Sequence, residues 1–398
     1  MVVKAIGLRL LCLIYMCIIF SSSVYANEEL APVRLFSKKQ YVLSTYMSVL
    51  EDKTNTLTID EVSSPSYRDY FVANDEEVHN FGISTSTYWL RCFVEYPDSY
   101  PNINDIQRWY LEVGDTQMDV AELYLSEFDG VFSVLSSDVR TNYESRPVRH
   151  VNSIFPVDLM LGQKVIFYIK INKVTSLRFP LIIWAESGLV EKVASEEFLY
   201  GVLYGGMFIL MIYNLFLYIS IREISYIYYV NYLLSVSAFM FLELGHGLIH
   251  FEDLFWKIDR EYIVYAIWFS IIFSILFAKS FMNTKDGYPR IDRILSGFVI
   301  ISFVSLGINS VVDYDISAVW NSSFSILLMP AYMGIVFYIY MQGNINAKYF
   351  FIAWLFNVFG FSMLAAATNK VIPMTPFVIA ATPVGILMES LLFSFALA

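Results

Sequence analysis

Two patterns of apolar residues divide this chain. From about residue 27 to residue 186, apolar positions alternate with polar ones in short runs. Tyr88-Trp89-Leu90-Arg91-Cys92-Phe93-Val94-Glu95 is one such run, and residues 108–113, 118–125, 165–171 and 180–184 are others. They are rich in aromatic and β-branched residues. Turn formers separate them at Pro97-Asp98-Ser99, Gly114-Asp115, Asp129-Gly130 and Leu161-Gly162. A period of two places alternate side chains on opposite faces of a strand, and short strands at this spacing predict an antiparallel sandwich. No long amphipathic helix is expected here. From about residue 196 the alternation gives way to seven nearly unbroken apolar stretches, at about 198–220, 226–248, 262–282, 294–312, 318–341, 349–367 and 373–398. Each is long enough for a helix to cross about 30 Å of hydrocarbon. The expected fold is a β-sandwich followed by an all-α, seven-helix transmembrane bundle.

The start of the chain reads as an export signal. Lys4 and Arg9 precede an apolar run over 10–20, and Ser21-Ser22-Ser23-Val24-Tyr25-Ala26 offers small residues at the cleavage positions. The expected organisation is a signal peptide over 1–26, an exported sandwich over 27–190 and a membrane domain over 196–398. Lys and Arg in loops set the orientation. Arg222, Lys279, Lys285, Arg290, Arg293 and Lys348 fall on the side opposite the exported domain, against Lys257, Arg260 and Lys370 on its own side. The C-terminus is therefore expected in the cytoplasm.

Composition sharpens this picture. Of 398 residues, 57% are hydrophobic and 16% charged. Soluble domains carry about 25% charge, so an ordinary cytosolic enzyme is excluded. The formal net charge of −11 argues against a nucleic-acid partner, which needs clustered cations. Cys12 and Cys17 lie in the leader, leaving Cys92 with no partner for a disulfide or a Cys-based metal site. No GxSxG, HExxH or phosphate loop is present, and neither a cofactor nor a catalytic residue is expected.

Candidate ligand-binding residues are Trp89 and Arg91, which share one strand face, with Arg149 in the basic cluster Arg146–Arg149–His150, and Arg178. Aromatic faces and arginine forks suit sugars and carboxylates. The alternative is that Trp89 is core and the arginines pair with local acids. Inside the spans, polar groups are costly and mark candidates for signalling. These are Asn214, Glu243 (with His246 and His250 near its mouth) and Glu389, together with the kink former Pro383. Asn321 and Asn357 read as interhelical hydrogen-bonding groups.

Several stretches carry a family resemblance. They are Asn80-Phe81-Gly82-Ile83-Ser84 before Tyr88-Trp89-Leu90-Arg91, then Glu122-Leu123-Tyr124-Leu125, Arg149, Phe155-Pro156, Phe167-Tyr168-Ile169 and Phe179-Pro180-Leu181. In the membrane half they are Tyr204-Gly205-Gly206, Tyr213-Asn214-Leu215, Arg222-Glu223-Ile224-Ser225-Tyr226 and Glu389-Ser390-Leu391-Leu392-Phe393-Ser394. Their order resembles the bacterial seven-transmembrane receptors with diverse intracellular signalling modules, with that family's type 2 extracellular domain. The resemblance implies a jelly-roll sandwich similar to carbohydrate-binding modules, binding a small periplasmic ligand. It also implies a bundle in the bacterial inner membrane that relays the signal to a cytoplasmic module or partner protein. An output domain such as a diguanylate cyclase or histidine kinase is expected beyond residue 398 or on a separate chain. A homodimer is among the candidate assemblies. The alternative class is a membrane transport or binding protein with an exported capture domain.

Overall fold

The computed structural model describes residues 32–97, 106–116, 118–126, 131–137, 146–173, 176–247, 261–312, 314–368, 371–373 and 375–397. The leader, the Asp129-Gly130 turn, His250, Lys257, Arg260 and Lys370 lie outside these residues.

The N-terminal half is built of β1 (Val33–Arg34), β2 (Gln40–Val42), β3 (Ser48–Asp52), β4 (Val72–Ala73), β5 (His79–Ile83), β6 (Thr87–Glu95) and β7 (Ile106–Val113). It continues with β8 (Val120–Ser126), β9 (Phe132–Ser137), β10 (Ser153–Met160), β11 (Lys164–Asn172), β12 (Ser176–Phe179) and β13 (Leu181–Ala185). One sheet runs β4-β3-β6-β11-β8-β9, with β1 added parallel to β6. A second runs β10-β7-β13-β2, and β12 pairs with β5. All other pairings are antiparallel. The expected alternation is seen directly. Tyr88, Leu90, Cys92 and Val94 of β6 meet Trp109, Leu111 and Val113 of β7 and Phe167, Ile169 and Ile171 of β11 in one core. Cys92 is wholly buried there, and burial pushes its thiol up to about 12, so it is unreactive at neutral pH.

Trp89 points to the other face of β6 and is nevertheless 0% exposed. Residues 54–71 cover it. Asp52, at the end of β3, accepts the backbone N–H groups of Thr54, Asn55 and Leu57 at 2.9–3.0 Å, fixing the turn that leaves the sheet. Thr58 then caps the one-turn helix Ile59–Val62 in a reciprocal capping box with Glu61. Val62 and Phe71 complete a second apolar cluster with Leu50, Trp89 and Tyr168.

The C-terminal half is helical. Seven long helices follow: Glu186–Ile221, Ile224–Glu243, Glu261–Phe281, Pro289–Asn309, Tyr314–Met341, Ile345–Thr368 and Pro376–Leu397. Among the described residues, six are long and apolar enough to cross a membrane, and the fifth contributes the apolar segment Leu327–Met341. Successive helices are neighbours, and the seventh returns to the first and second, closing the bundle. The first helix begins at Glu186, immediately after β13, twelve residues before the stretch that hydropathy marks as its start.

The sixth and seventh helices touch through their backbones. A Cβ on Gly360 would lie 2.6 Å from the Ala381 carbonyl oxygen, and one on Gly385 would lie 2.5 Å from that of Phe356. Phe356 and Gly360, like Ala381 and Gly385, are one turn apart, so each glycine admits the other helix. Small residues serve this purpose in membrane helices, where packing must replace the hydrophobic effect. Gly385→Val is expected to destabilise the solubilised protein by about 1–3 kcal/mol, the usual cost of overpacking. Gly297→Ala, with open space around it, should leave thermal unfolding unchanged or raise its midpoint. Equal responses would contradict the close-packed seam.

Candidate functional site

Three clusters of polar side chains stand out. The first lies on the outer face of the larger sheet. Register places Trp89 of β6 beside Lys170 of β11, and Lys170 beside Glu122 of β8; the next row is Arg91, Tyr168 and Tyr124. Lys170 Nζ sits 5.6 Å from the Trp89 ring and 3.7 Å from Glu122. The Arg91 guanidinium lies 4.4 Å from the Phe71 ring centroid. Arg91 Nε and Trp89 Nε1 are buried donors with no acceptor in the structure.

The second cluster joins sandwich to bundle. Glu112 of β7 is turned away from the core and is 2% exposed. It accepts hydrogen bonds from Trp184 Nε1 (2.7 Å), Asn152 Nδ2 (2.6 Å) and Lys192 Nζ (2.5 Å), the last from the second turn of the first helix. Lys192 also pairs with Glu196 at 3.1 Å, and His150 Nε2 lies 3.8 Å from Glu196. Burial alone would raise the Glu112 carboxyl, but the Lys192 charge and these hydrogen bonds outweigh it and hold it below the usual range. Around this cluster Leu189 packs on Ile154 and Trp184, and a Cβ on Gly188 would meet the Lys39 carbonyl oxygen at 2.4 Å. On the far side of the junction, Thr116 Oγ1 donates to the Glu243 carbonyl at 3.3 Å. Gly245, with φ +75°, turns the chain against Thr116 and Val151.

The third cluster lies inside the bundle. Glu389 of the seventh helix is 0% exposed. Its Oε2 accepts from Tyr232 Oη of the second helix (2.9 Å) and Asn357 Nδ2 of the sixth (2.5 Å), while Oε1 is buried without a partner. One turn before Tyr232, Tyr229 Oη donates to the carbonyl of the adjacent Ser390. Asn214 Nδ2 of the first helix donates to Ser394 Oγ at 2.9 Å. Every one of these bonds ends on the seventh helix.

Two comparisons with known sequences bear on this architecture. The profile described as 7TM diverse intracellular signalling matches residues 196–398, and the one described as 7TMR-DISM extracellular 2 matches residues 44–185. The chain belongs to the 7TM diverse intracellular signalling family. No curated protein matches it in sequence. It is a membrane receptor of this family, with an extracellular-type sheet domain ahead of its transmembrane helices, and both matched units are of sensor type.

The residues singled out in the sequence of this 7TM diverse intracellular signalling receptor fall into separate places. Trp89 and Arg91 are adjacent, as the strand period requires. Arg149 is exposed ahead of β10, and Arg178 stands on β12 near Asp115, so neither shares an element with them. The basic cluster splits, because Arg146 and His150 turn inward, Arg146 donating to the His150 carbonyl at 3.0 Å. Asn214 and Glu389 converge through the seventh helix, with Pro383 inside its close-packed seam, between Ala381 and Gly385. Glu243 is the exposed last residue of the second helix, and its carbonyl accepts from Thr116 at the domain junction. Sequence reasoning missed Glu112 and Lys192. The available signal was a single carboxylate on the Trp109–Val113 strand whose alternate residues are all apolar.

Acid should loosen the sandwich. His79 is buried against Phe81 and Phe179 with both ring nitrogens unpartnered, and burial lowers its pKa to about 3. Burial and then the Lys192 charge lower that of His150 to about 4. Both histidines stay neutral when folded and protonate near 6.5 when unfolded. Their contribution is complete above about pH 6.5 and is lost as pH falls towards 4, at about 1.4 kcal/mol per unit for each. The unfolding transition of the sandwich, followed against pH in the full chain, is expected to show this slope. His79→Phe should halve it, and an unchanged slope would contradict the assignment.

Proposed function

We propose that this receptor sits in a bacterial inner membrane with its sandwich in the periplasm and its C-terminal end in the cytoplasm. It binds a small carbohydrate or carboxylate at half-buried Arg91, beside the Trp89 that residues 54–71 cover, and it relays that binding through the bundle to a cytoplasmic signalling module. The observation that carries the relay is the direct run of β13 into the first membrane helix. No loop separates them, and Lys192 ties the first turns of that helix to Glu112 within the sandwich. The excess of Arg222, Lys279, Lys285, Arg290, Arg293 and Lys348 on one side supports the orientation. The unpartnered Nε of half-buried Arg91 supports this ligand site, because an unsatisfied buried donor costs about 1–3 kcal/mol unless something accepts from it. An oxygen-rich ligand supplies such acceptors.

Ligand binding shifts a two-state bundle only by its difference in affinity for the two states. In this reading those states differ in the setting of the seventh helix, where Asn214, Tyr232 and Asn357 grip Ser394 and Glu389. The experiment screens sugars and carboxylates against the full chain by thermal shift. It follows a hit by the reactivity of a thiol introduced by Ala396→Cys near the inner end of the seventh helix; the native Cys92 thiol is silent. A hit is expected to change that reactivity, and Arg91→Gln should weaken binding at least about tenfold, the loss of one charge-assisted hydrogen bond. Binding that never alters the thiol overturns the relay. Binding that survives Arg91→Gln, and is lost in Arg149→Gln or Arg178→Gln, moves the ligand site.

A further inference from the structure

A groove of about 750 Å³ opens between the fourth and fifth membrane helices and takes no part in the three clusters above. Tyr288, Arg290 and Arg293 line it at the start of the fourth helix, and Ala331, Gly334 and Tyr338 on the last three turns of the fifth. The two helix ends lie on the same side of the bundle. Residues 331, 334 and 338 are spaced i, i+3 and i+7, so they form one stripe along the fifth helix. The stripe is small where it runs deeper: a Cβ on Gly334 would meet nothing within 4 Å. It is aromatic near the helix end, at Tyr338 and Tyr288, and tyrosines are enriched at the interfacial ends of membrane helices.

The charge at the mouth is unmatched. Asp292, on the same helix, is taken by Lys279 at 3.3 Å and by Thr284 Oγ1 at 2.7 Å. Arg293 Nε reaches only the Pro289 carbonyl at 3.4 Å. Among the described residues no carboxylate lies within ion-pair distance of Arg290 or Arg293, and both are exposed. Two guanidinium groups at headgroup depth, above a narrow apolar trough, have the shape and charge of an anionic amphiphile. We propose that this groove is a binding site for an anionic phospholipid, its phosphate held by Arg290 and Arg293 and one acyl chain lying along Ala331 and Gly334. Arginine forks suit phosphate oxygens, and basic pockets between helix ends are sites for acidic headgroups. Assigning the lipid to the cytoplasmic leaflet rests on the orientation proposed above; the binding itself does not.

The test uses the full chain in a neutral detergent, titrated with phosphatidylglycerol or with phosphatidylcholine in mixed micelles and read by native mass spectrometry and thermal shift. Phosphatidylglycerol is expected to bind at a saturable site and raise the unfolding midpoint, and phosphatidylcholine is not. R290Q/R293Q should weaken that binding at least tenfold. Gly334→Leu, which fills the trough and keeps the arginines, should weaken it as well. K285Q/K348Q, altering cations outside the groove, should leave it unchanged. Equal response to both lipids, binding retained in R290Q/R293Q or Gly334→Leu, or an equal loss in K285Q/K348Q would overturn the site. An equal effect of glycerol 3-phosphate at the same concentration would also overturn it, in favour of a soluble anion. None of these readouts involves a sandwich ligand, so their failure leaves the relay standing and failure of the relay leaves them intact.

Discussion

A carboxylate buried in a β-sheet must keep a cation beside it, and here the cation comes from the membrane helix. Glu112 is fixed in the middle of the smaller sheet by its strand pairing with β10 and β13. Trp184 and Asn152 satisfy part of its hydrogen-bonding capacity, and Lys192 supplies the charge. Removing one partner of such a pair costs about 3–5 kcal/mol. The first helix therefore cannot tilt or slide freely against the sandwich: its second turn is held by charge, and Gly188 seats its first turn on the Lys39 backbone. Lys39 itself pairs with Glu191 on the same helix. The sheet runs into the helix with no loop between them, which is the geometry the proposed relay requires.

The bundle gathers several of its costly polar groups around the seventh helix. Glu389, Asn214, Asn357 and Tyr232 would each be expensive to bury alone. Together they bind the seventh helix to the first, second and sixth, while Gly360 and Gly385 let the sixth and seventh approach closely. Pro383 withholds one backbone donor within the seam, ahead of the glutamate, so this helix is best able to bend there. The unpartnered Oε1 of Glu389 and Oδ1 of Asn214 leave acceptor capacity that an altered packing could use.

Much of this was legible in the sequence, for a definite reason. Strand alternation and long apolar runs are local signals, so β6, β7, β8, β11, β13 and the membrane helices fall close to where pattern puts them. The order of short motifs from Tyr88-Trp89-Leu90-Arg91 to Glu389-Ser390-Leu391 pointed to the family that the profile matches establish. What was not legible depends on contacts distant in sequence. Hydropathy starts the first helix near residue 198, because Glu186, Glu191, Lys192, Glu196 and Glu197 interrupt the apolar run ahead of it. Packing of Leu189 on Trp184 and Ile154 holds that segment helical. Trp89 sits at an outward register position, and only the segment over 54–71 buries it. Glu112 and Lys192 are 80 residues apart and carry no mutual signal in sequence. Hydropathy carries the second span on to residue 248, whereas the helix ends at Glu243.

The most direct test of this loop-free junction is hydrogen exchange of backbone amides across residues 181–200 in the membrane-embedded full chain. Protection that continues from β13 through Lys192 into the first membrane helix, and that Lys192→Met lowers over 186–197 alone, is the expected result. Rapid exchange over 186–195 in the unaltered protein would mean that a flexible tether separates sandwich from bundle, contradicting the account.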